Sequence, residues 1–134
     1  MSARCVEQVI RPGKSVVVHS SSPNGRYAVF FEDDGEVGYF YALSVSEDER
    51  KVLDAVQVYT MQGPQSPQLM VLRIVWSADG LKCALELDGC FHAFFDFKLR
   101  KGKCRSGFPP PHDEWAMDGR EWDDEIGNDF RAAE

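Results

Sequence analysis

The chain predicts a mainly β fold: an antiparallel, strongly curved sheet, roll or sandwich of seven to eight strands, carrying internally similar hairpins and a C-terminal extension. Three observations lead there. First, one segment occurs twice. Ser22-Pro23-Asn24-Gly25 leads into residues 26–32, turns at Asp34-Gly35 and returns through 39–43, and Ser77-Ala78-Asp79-Gly80 leads into 81–87, turns at Asp88-Gly89 and returns through 91–95. Second, Asn-Gly and Asp-Gly supply the positive φ that tight hairpins need. Third, the runs between turns are rich in Val, Phe, Tyr and Leu, with Gly and Pro punctuating them.

Taken in order, residues 5–10 form a first strand closed by Pro12-Gly13, and 14–20, with Val16-Val17-Val18, a second. Residues 26–32 and 38–44 make the first hairpin over the acidic tip Asp33-Asp34-Gly35-Glu36. The polar stretch 46–51 reads as a loop or a single helical turn. Residues 52–60 alternate in part and suit a strand better than a helix. Gly63, Pro64 and Pro67 mark a loop, and 69–76, apolar apart from Arg73, reads as a central strand. Residues 81–87 and 90–99 complete the second hairpin. Pro109-Pro110-Pro111 then stop regular structure, and the tail beyond is expected to be a short helix near 121–130 or an irregular strap over the sheet. The domain division is therefore one antiparallel β domain over 1–111 and an acidic aromatic extension over 112–134 packed on it.

The serine, small residue, Asn or Asp, glycine pattern before an outer strand is also found in β-propeller blades. A propeller needs four or more blades of about forty residues, so 134 residues exclude a closed monomeric one. That length is enough to bury a core without disulfides. No apolar run reaches the roughly 18 residues of a membrane span, and Glu7 and Arg11 interrupt any leader-like stretch. A cytoplasmic location is the expectation. Cys5, Cys83, Cys90 and Cys104 then read as reduced thiols, and none share the short spacing of a zinc site.

Net charge is −7, and all of the excess lies in 112–134, with nine acidic and two basic residues. Just upstream, Lys98, Arg100, Lys101, Lys103 and Arg105 form a basic cluster. The tail either folds onto this cluster or is solvated; alternatively Trp115, Trp122, Asp123, Asp124 and Phe130 form a surface that docks on a basic protein.

Runs 25–35 and 38–42, with Trp76-Ser77-Ala78-Asp79-Gly80, Phe95-Asp96-Phe97 and Cys104-Arg105-Ser106-Gly107-Phe108-Pro109-Pro110, resemble an uncharacterised family of small bacterial proteins. The likeness runs from Val18 to Trp122. It implies a bacterial origin and brings no activity or catalytic residues with it.

Signals for chemistry are few. Gly13-Lys14-Ser15 lacks the upstream glycine and the strand-loop-helix context of a phosphate loop. Asp33-Asp34-Gly35-Glu36 lacks the ligand spacing of a calcium loop, so no metal and no cofactor are expected. Ser22 and Ser77 lie in turns without a nucleophile elbow. In a regular strand His92 shares a face with Phe94 and Asp96, with Glu86 on the facing strand, the one polar constellation capable of general-base work. Phe91, Phe94, Phe95 and Phe97 beside the basic cluster could stack bases, but the acidic balance (pI about 4.9) opposes nucleic acid.

The leading expectation is thus a non-enzymatic binding or regulatory module for a basic protein partner, with an immunity-like role as one concrete form, and with no nucleic acid and no membrane involved. The alternative is a small hydrolase-type enzyme using His92 and Asp96 in a sheet cleft. Uncovered sheet edges favour a homodimer.

Overall fold

A computed structural model describes residues 5–61, 68–110, 115 and 119–122. Among them are nine strands: β1 (Cys5–Ile10), β2 (Val16–Ser21), β3 (Tyr27–Asp33), β4 (Val37–Val45), β5 (Arg50–Thr60), β6 (Met70–Trp76), β7 (Lys82–Leu87), β8 (Cys90–Asp96) and β9 (Lys101–Cys104). They form two antiparallel sheets, β2-β3-β4-β5 and β1-β6-β7-β8-β9. Each sheet contains a four-strand meander, and β1 adds to the edge of the second.

The repeat read from the sequence is a repeat of structure. Ser22 Oγ donates to Asn24 Oδ1 at 2.7 Å and accepts from the Tyr27 N–H at 3.1 Å. Ser77 Oγ donates to Asp79 Oδ1 at 2.7 Å and accepts from the Lys82 N–H at 3.0 Å. Gly25 and Gly80 hold φ of 75° and 73°, a left-handed conformation that a side chain resists. The two turns also touch: a Cβ at Gly80 would lie 3.2 Å from Pro23 Cδ.

The strands leaving these turns face opposite ways. In β3, Val29 and Phe31 enter the shared core, whereas in β7 it is Cys83, Leu85 and Leu87. Counted from the repeated serine, the positions that point inward in one unit point outward in the other. The sheets thus stack front to back, like successive propeller blades, and not as mirror-related halves.

The core between them holds Val29, Phe31, Phe40, Val56, Ile74, Trp76, Leu85 and Phe95. Phe40 stacks on Phe95 with centroids 5.0 Å apart, and Trp76 on Phe97 at 5.7 Å; such pairs add about 0.5–1.5 kcal/mol beyond burial. Trp76 Nε1 reaches across to donate to Ser20 Oγ at 2.9 Å. That bond lets an indole sit wholly buried without an orphaned N–H.

Three boundaries differ from the expectation. The polar stretch 46–51 closes within a short turn, Ser46 N–H to Glu49 C=O at 2.9 Å, and β5 starts at Arg50. The second hairpin stops at Asp96, because its carboxylate accepts the N–H groups of Lys98 and Leu99 at 3.0 and 2.9 Å and turns the chain. The basic stretch then returns as β9, which pairs with β8. The proposed loop at 63–67 and helix at 121–130 fall largely outside the described residues.

Candidate functional site

Two places invite a functional reading: the second hairpin, where His92 and Asp96 lie, and the solvent-facing side of β2-β3-β4-β5. On the hairpin, Asp88-Gly89 makes the two-residue turn, with φ of 48° and 82°, and Leu87 pairs with Cys90 as expected. A bulge follows between Leu85 and Glu86, so both Phe91 and His92 stand opposite Glu86, and Cys83 meets Phe95 instead of Phe94. The extra residue reverses the alternation. Phe91 and Phe94 pack together on the outer side of their sheet, whereas His92 borders a cleft with Val58 and Leu87. A regular strand would have put His92 and Phe94 on one face; the bulge separates them.

No hydrogen bond or ion pair joins His92 to Asp96. His92 Nδ1 lies 2.8 Å from the Cys90 carbonyl, and the Asp96 carboxylate caps the turn after its strand. Glu86 is held by Arg73 Nη1 at 3.4 Å. The cleft beside His92, about 270 Å³, is lined by Pro12, Val58, Tyr59, Met61, Met70 and Leu87 as well, and Asp96 takes no part in it.

The tail residues divide. Trp115 is a core residue, 7% exposed, set edge-on to Phe95 and Phe97 at 6.4 and 5.9 Å; its ring has no surface to offer a partner. Trp122 lies under the Arg105 guanidinium, 4.8 Å from ring centroid to Cζ, and packs on Val75, Ala84, Phe91 and Phe94. Lys103 Nζ donates to the Gly119 carbonyl at 3.2 Å. The basic cluster therefore holds the described part of the tail through a carbonyl and an aromatic face. Asp123, Asp124 and Phe130 lie outside the described residues.

The anchor of this arrangement went unread in the sequence. Arg120, 3% exposed, forks onto Asp54, 1% exposed, with Nη1–Oδ2 at 2.8 Å and Nη2–Oδ1 at 2.6 Å. Its Nη1 also donates to the Gly102 carbonyl at 3.1 Å and its Nε to the Pro109 carbonyl. A Cβ at Gly102 would stand 2.0 Å from Asp54 Oδ2, so only glycine leaves room for the pair. Asp54 is one polar step in a partly alternating strand, and nothing local announces a partner 66 residues away.

The outer face of β2-β3-β4-β5 is different in kind. Cross-strand register places His19, Phe30, Tyr41 and Ala55 in one row, and Val17, Glu32, Tyr39 and Gln57 in the next. Phe30 and Tyr41 stack at 4.3 Å with 18° between planes, and Tyr39 leans on Tyr41 at 6.0 Å. All three rings are half-buried and open to solvent on one side. Burial, then the nearby Glu32 carboxylate, Tyr39 and Asp34, push the Tyr41 hydroxyl above its usual range. Asp34, whose carboxyl is lowered by the Val37 and Glu36 N–H groups, borders the same face at the hairpin tip. The signal was present as Tyr39-Phe40-Tyr41, an alternation with phenylalanine inward and tyrosine outward.

The acidic tip is engaged in the fold. Asp33 Oδ2 accepts from the Gly13 N–H at 2.8 Å and the Tyr59 hydroxyl at 2.5 Å, and Oδ1 from the Gly35 N–H at 2.7 Å. Burial and the Asp33 hydrogen bond raise the Tyr59 hydroxyl far above its usual range. Among the described residues no group of three His, Cys, Asp or Glu is placed to hold a metal. The four cysteines are free. Phe91, Phe94, Phe95 and Phe97 are buried, so no base can stack on them.

Fold and face together define an all-β protein of two stacked meanders with one solvent-facing aromatic sheet. The chain belongs to a family described as an uncharacterised protein conserved in bacteria (DUF2251), which it matches over residues 10–131. The family resemblance read from the motifs therefore holds. It is also similar to an uncharacterised protein of Haemophilus influenzae, 35% identical over 99 residues, which are 73% of this chain and 61% of that protein; the chain thus spans less than two thirds of that relative's length. No solved structure matches it. No helix among the described residues is long and apolar enough to cross a membrane.

Proposed function

We propose that this bacterial protein is a non-enzymatic binding module that takes cationic side chains of a basic protein partner on the outer face of β2-β3-β4-β5. One observation carries the reading: stacked Phe30 and Tyr41, with Tyr39, form a half-exposed aromatic row bordered by Glu32 and Asp34. Arginine and lysine are attracted to aromatic faces by the ring quadrupole, and adjacent carboxylates add charge-assisted hydrogen bonds. The acidic residues of 123–134 would draw the same partner from a distance. Neutralising a basic toxin is one form of this role, and the free thiols fit a reducing, cytoplasmic setting. The hydrolase alternative has less behind it: His92 borders a cleft without Asp96, and each has its own backbone partner.

The test is binding of a fluorescein-labelled hexa-arginine peptide at physiological salt, read by anisotropy. Replacing Tyr39 and Tyr41 together by Ala should weaken binding by about tenfold or more, as loss of a hot-spot pair does, without changing the melting temperature by more than a few degrees. Wild-type affinity in that variant would sink the proposal, as would complete loss on removing only 123–134.

A further inference from the structure

The two sides of the sandwich are finished differently. On one side β5 and β9 are sealed to each other. The Gln57 N–H donates to the Phe108 carbonyl at 2.9 Å, Ser106 Oγ to the Gln57 carbonyl at 2.8 Å, and Arg120 spans both sheets through Asp54 and Gly102. On the other side β1 and β2 are both terminal strands of their sheets. A groove of about 280 Å³ lies where the turn joins them, lined by residues 8–11, 14–16 and 69, with Arg11, Lys14 and Ser15 among its polar walls. Val9, Val17 and Leu69 expose 57%, 54% and 56% of their surface.

Natural sheets blunt such edges with charged side chains, lysine above all, or with proline or a bulge, because a terminal strand templates pairing with another chain; Glu7 is the one charge in β1. Neither Cys5–Ile10 nor Val16–Ser21 contains lysine or proline, and both pair with their neighbours in unbroken register. An edge in unbroken register with Val9 and Val17 exposed beside Glu7 is suited to being covered.

We propose that it is covered by a second copy of this chain, β1 pairing antiparallel with β1 about a two-fold axis perpendicular to the sheet. A two-fold contact sets one residue opposite itself and makes every other contact twice. Charge selects the register. Centring the axis on Val9 sets the exposed valines together. It also brings Glu7, which lies 3.8 Å from Arg73 in its own chain, opposite Arg11 of the second copy on both sides, adding a second cation beside that carboxylate. Centring it on Glu7 would oppose two carboxylates, which is destabilising on neighbouring strands. The chosen register joins the two five-stranded sheets into one of ten and buries the Val9–Val71 cross-strand pair. It leaves the aromatic face of β3 and β4 open, so it stands apart from the proposed binding role.

Light scattering at about 100 µM, above the micromolar Kd of a modest interface, should give twice the 15.1 kDa chain mass. Val9→Lys should shift the protein to monomer with an unchanged circular dichroism spectrum, while Val52→Lys, on an equally exposed position (54%) of the sealed side, stays dimeric. With Cys5 and Cys90 replaced by Ser, Val9→Cys should form a self-disulfide on mild oxidation, since directly opposed antiparallel residues have Cα atoms about 4.5–5.5 Å apart. A monomeric wild-type protein overturns the proposal. So does a dimer untouched by Val9→Lys, or cross-linking through Glu7→Cys in place of Val9→Cys.

Discussion

Replacing Arg120 by methionine isolates what holds the tail to the sandwich. Methionine keeps most of the side-chain length and apolar stem but removes the guanidinium, leaving the Asp54 carboxylate buried without its bidentate partner. Breaking a buried pair from one side costs about 3–5 kcal/mol, because the remaining charge stays desolvated. That is a large share of the roughly 5–15 kcal/mol stabilising a domain of this size. At about 3–5 °C per kcal/mol for this length, the melting temperature should fall by roughly 10–20 °C. Two carbonyls, of Gly102 and Pro109, lose a donor as well. The informative assay is a double-mutant cycle with Asp54→Leu, followed by urea unfolding. Removing both charges should restore much of the loss, since an apolar pair of similar volume is often neutral or better. The expected coupling is about 2–3 kcal/mol between residues 66 apart in sequence. A cost under about 1 kcal/mol for Arg120→Met, a value usual for exposed pairs, would refute this reasoning, and so would strict additivity in the cycle.

Gly102→Ala should be at least as damaging as Arg120→Met, because its Cβ would lie 2.0 Å from Asp54 Oδ2 and 2.9 Å from Arg120 Nη1; loss of soluble expression or a matching drop in melting temperature checks it. With a thiol reagent at neutral pH, exposed Cys5 and Cys90 should react within the mixing phase and buried Cys83 and Cys104 only on unfolding. Cys83 is doubly protected, as burial raises its thiol well above the usual range. The Asp79 carboxyl is lowered, chiefly by the Ser77 hydroxyl and the Leu81 N–H. Its contribution is therefore present above the unfolded value near pH 4 and lost as pH falls through the lower folded value. Asp79→Asn should flatten the acid limb of stability against pH by well under 1 kcal/mol for so exposed a group.

Much of the fold could be read from the chain because its determinants are local. Asp88-Gly89 and the repeated Ser77-Ala78-Asp79-Gly80 specify their turns through φ and side-chain bonds within five residues, and eight of the strands follow from what lies between such turns. What escaped depends on register and distance. The bulge opposite Glu86 has no compositional mark, yet it moves His92 off the face of Phe94. β9 was hidden by its lysines, which a half-buried edge strand tolerates because alternate positions, Gly102 and Cys104, carry the inward contacts. The acidic, aromatic composition of the tail points to Trp115 as a surface anchor, whereas the indole is buried beside Phe95 and Phe97. Arg120, one of only two basic residues in an acidic stretch, was the exception that carried structural meaning.

The front-to-back stacking of the meanders makes the two outer faces of the sandwich unlike. Two units related like successive blades present unlike surfaces to solvent: the outer face of one corresponds to the inner face of the other, so each outer face carries positions that its counterpart buries. The outer side of β6-β7-β8 is covered within the chain, as Trp122, clamped by Arg105, packs on Val75, Ala84, Phe91 and Phe94. The outer side of β2-β3-β4-β5 carries Phe30, Tyr39 and Tyr41, half-buried and stacked, with no described segment over them. An uncovered face in the middle of a monomer would favour small or charged residues on grounds of solubility alone. Aromatic rings with polar tips suit a surface that is wet part of the time and contacted the rest. Lysine at both Tyr39 and Tyr41 therefore separates the two accounts. If the rings serve only the fold, stability falls and peptide binding follows it down; if they serve a partner, stability holds and hexa-arginine binding is lost.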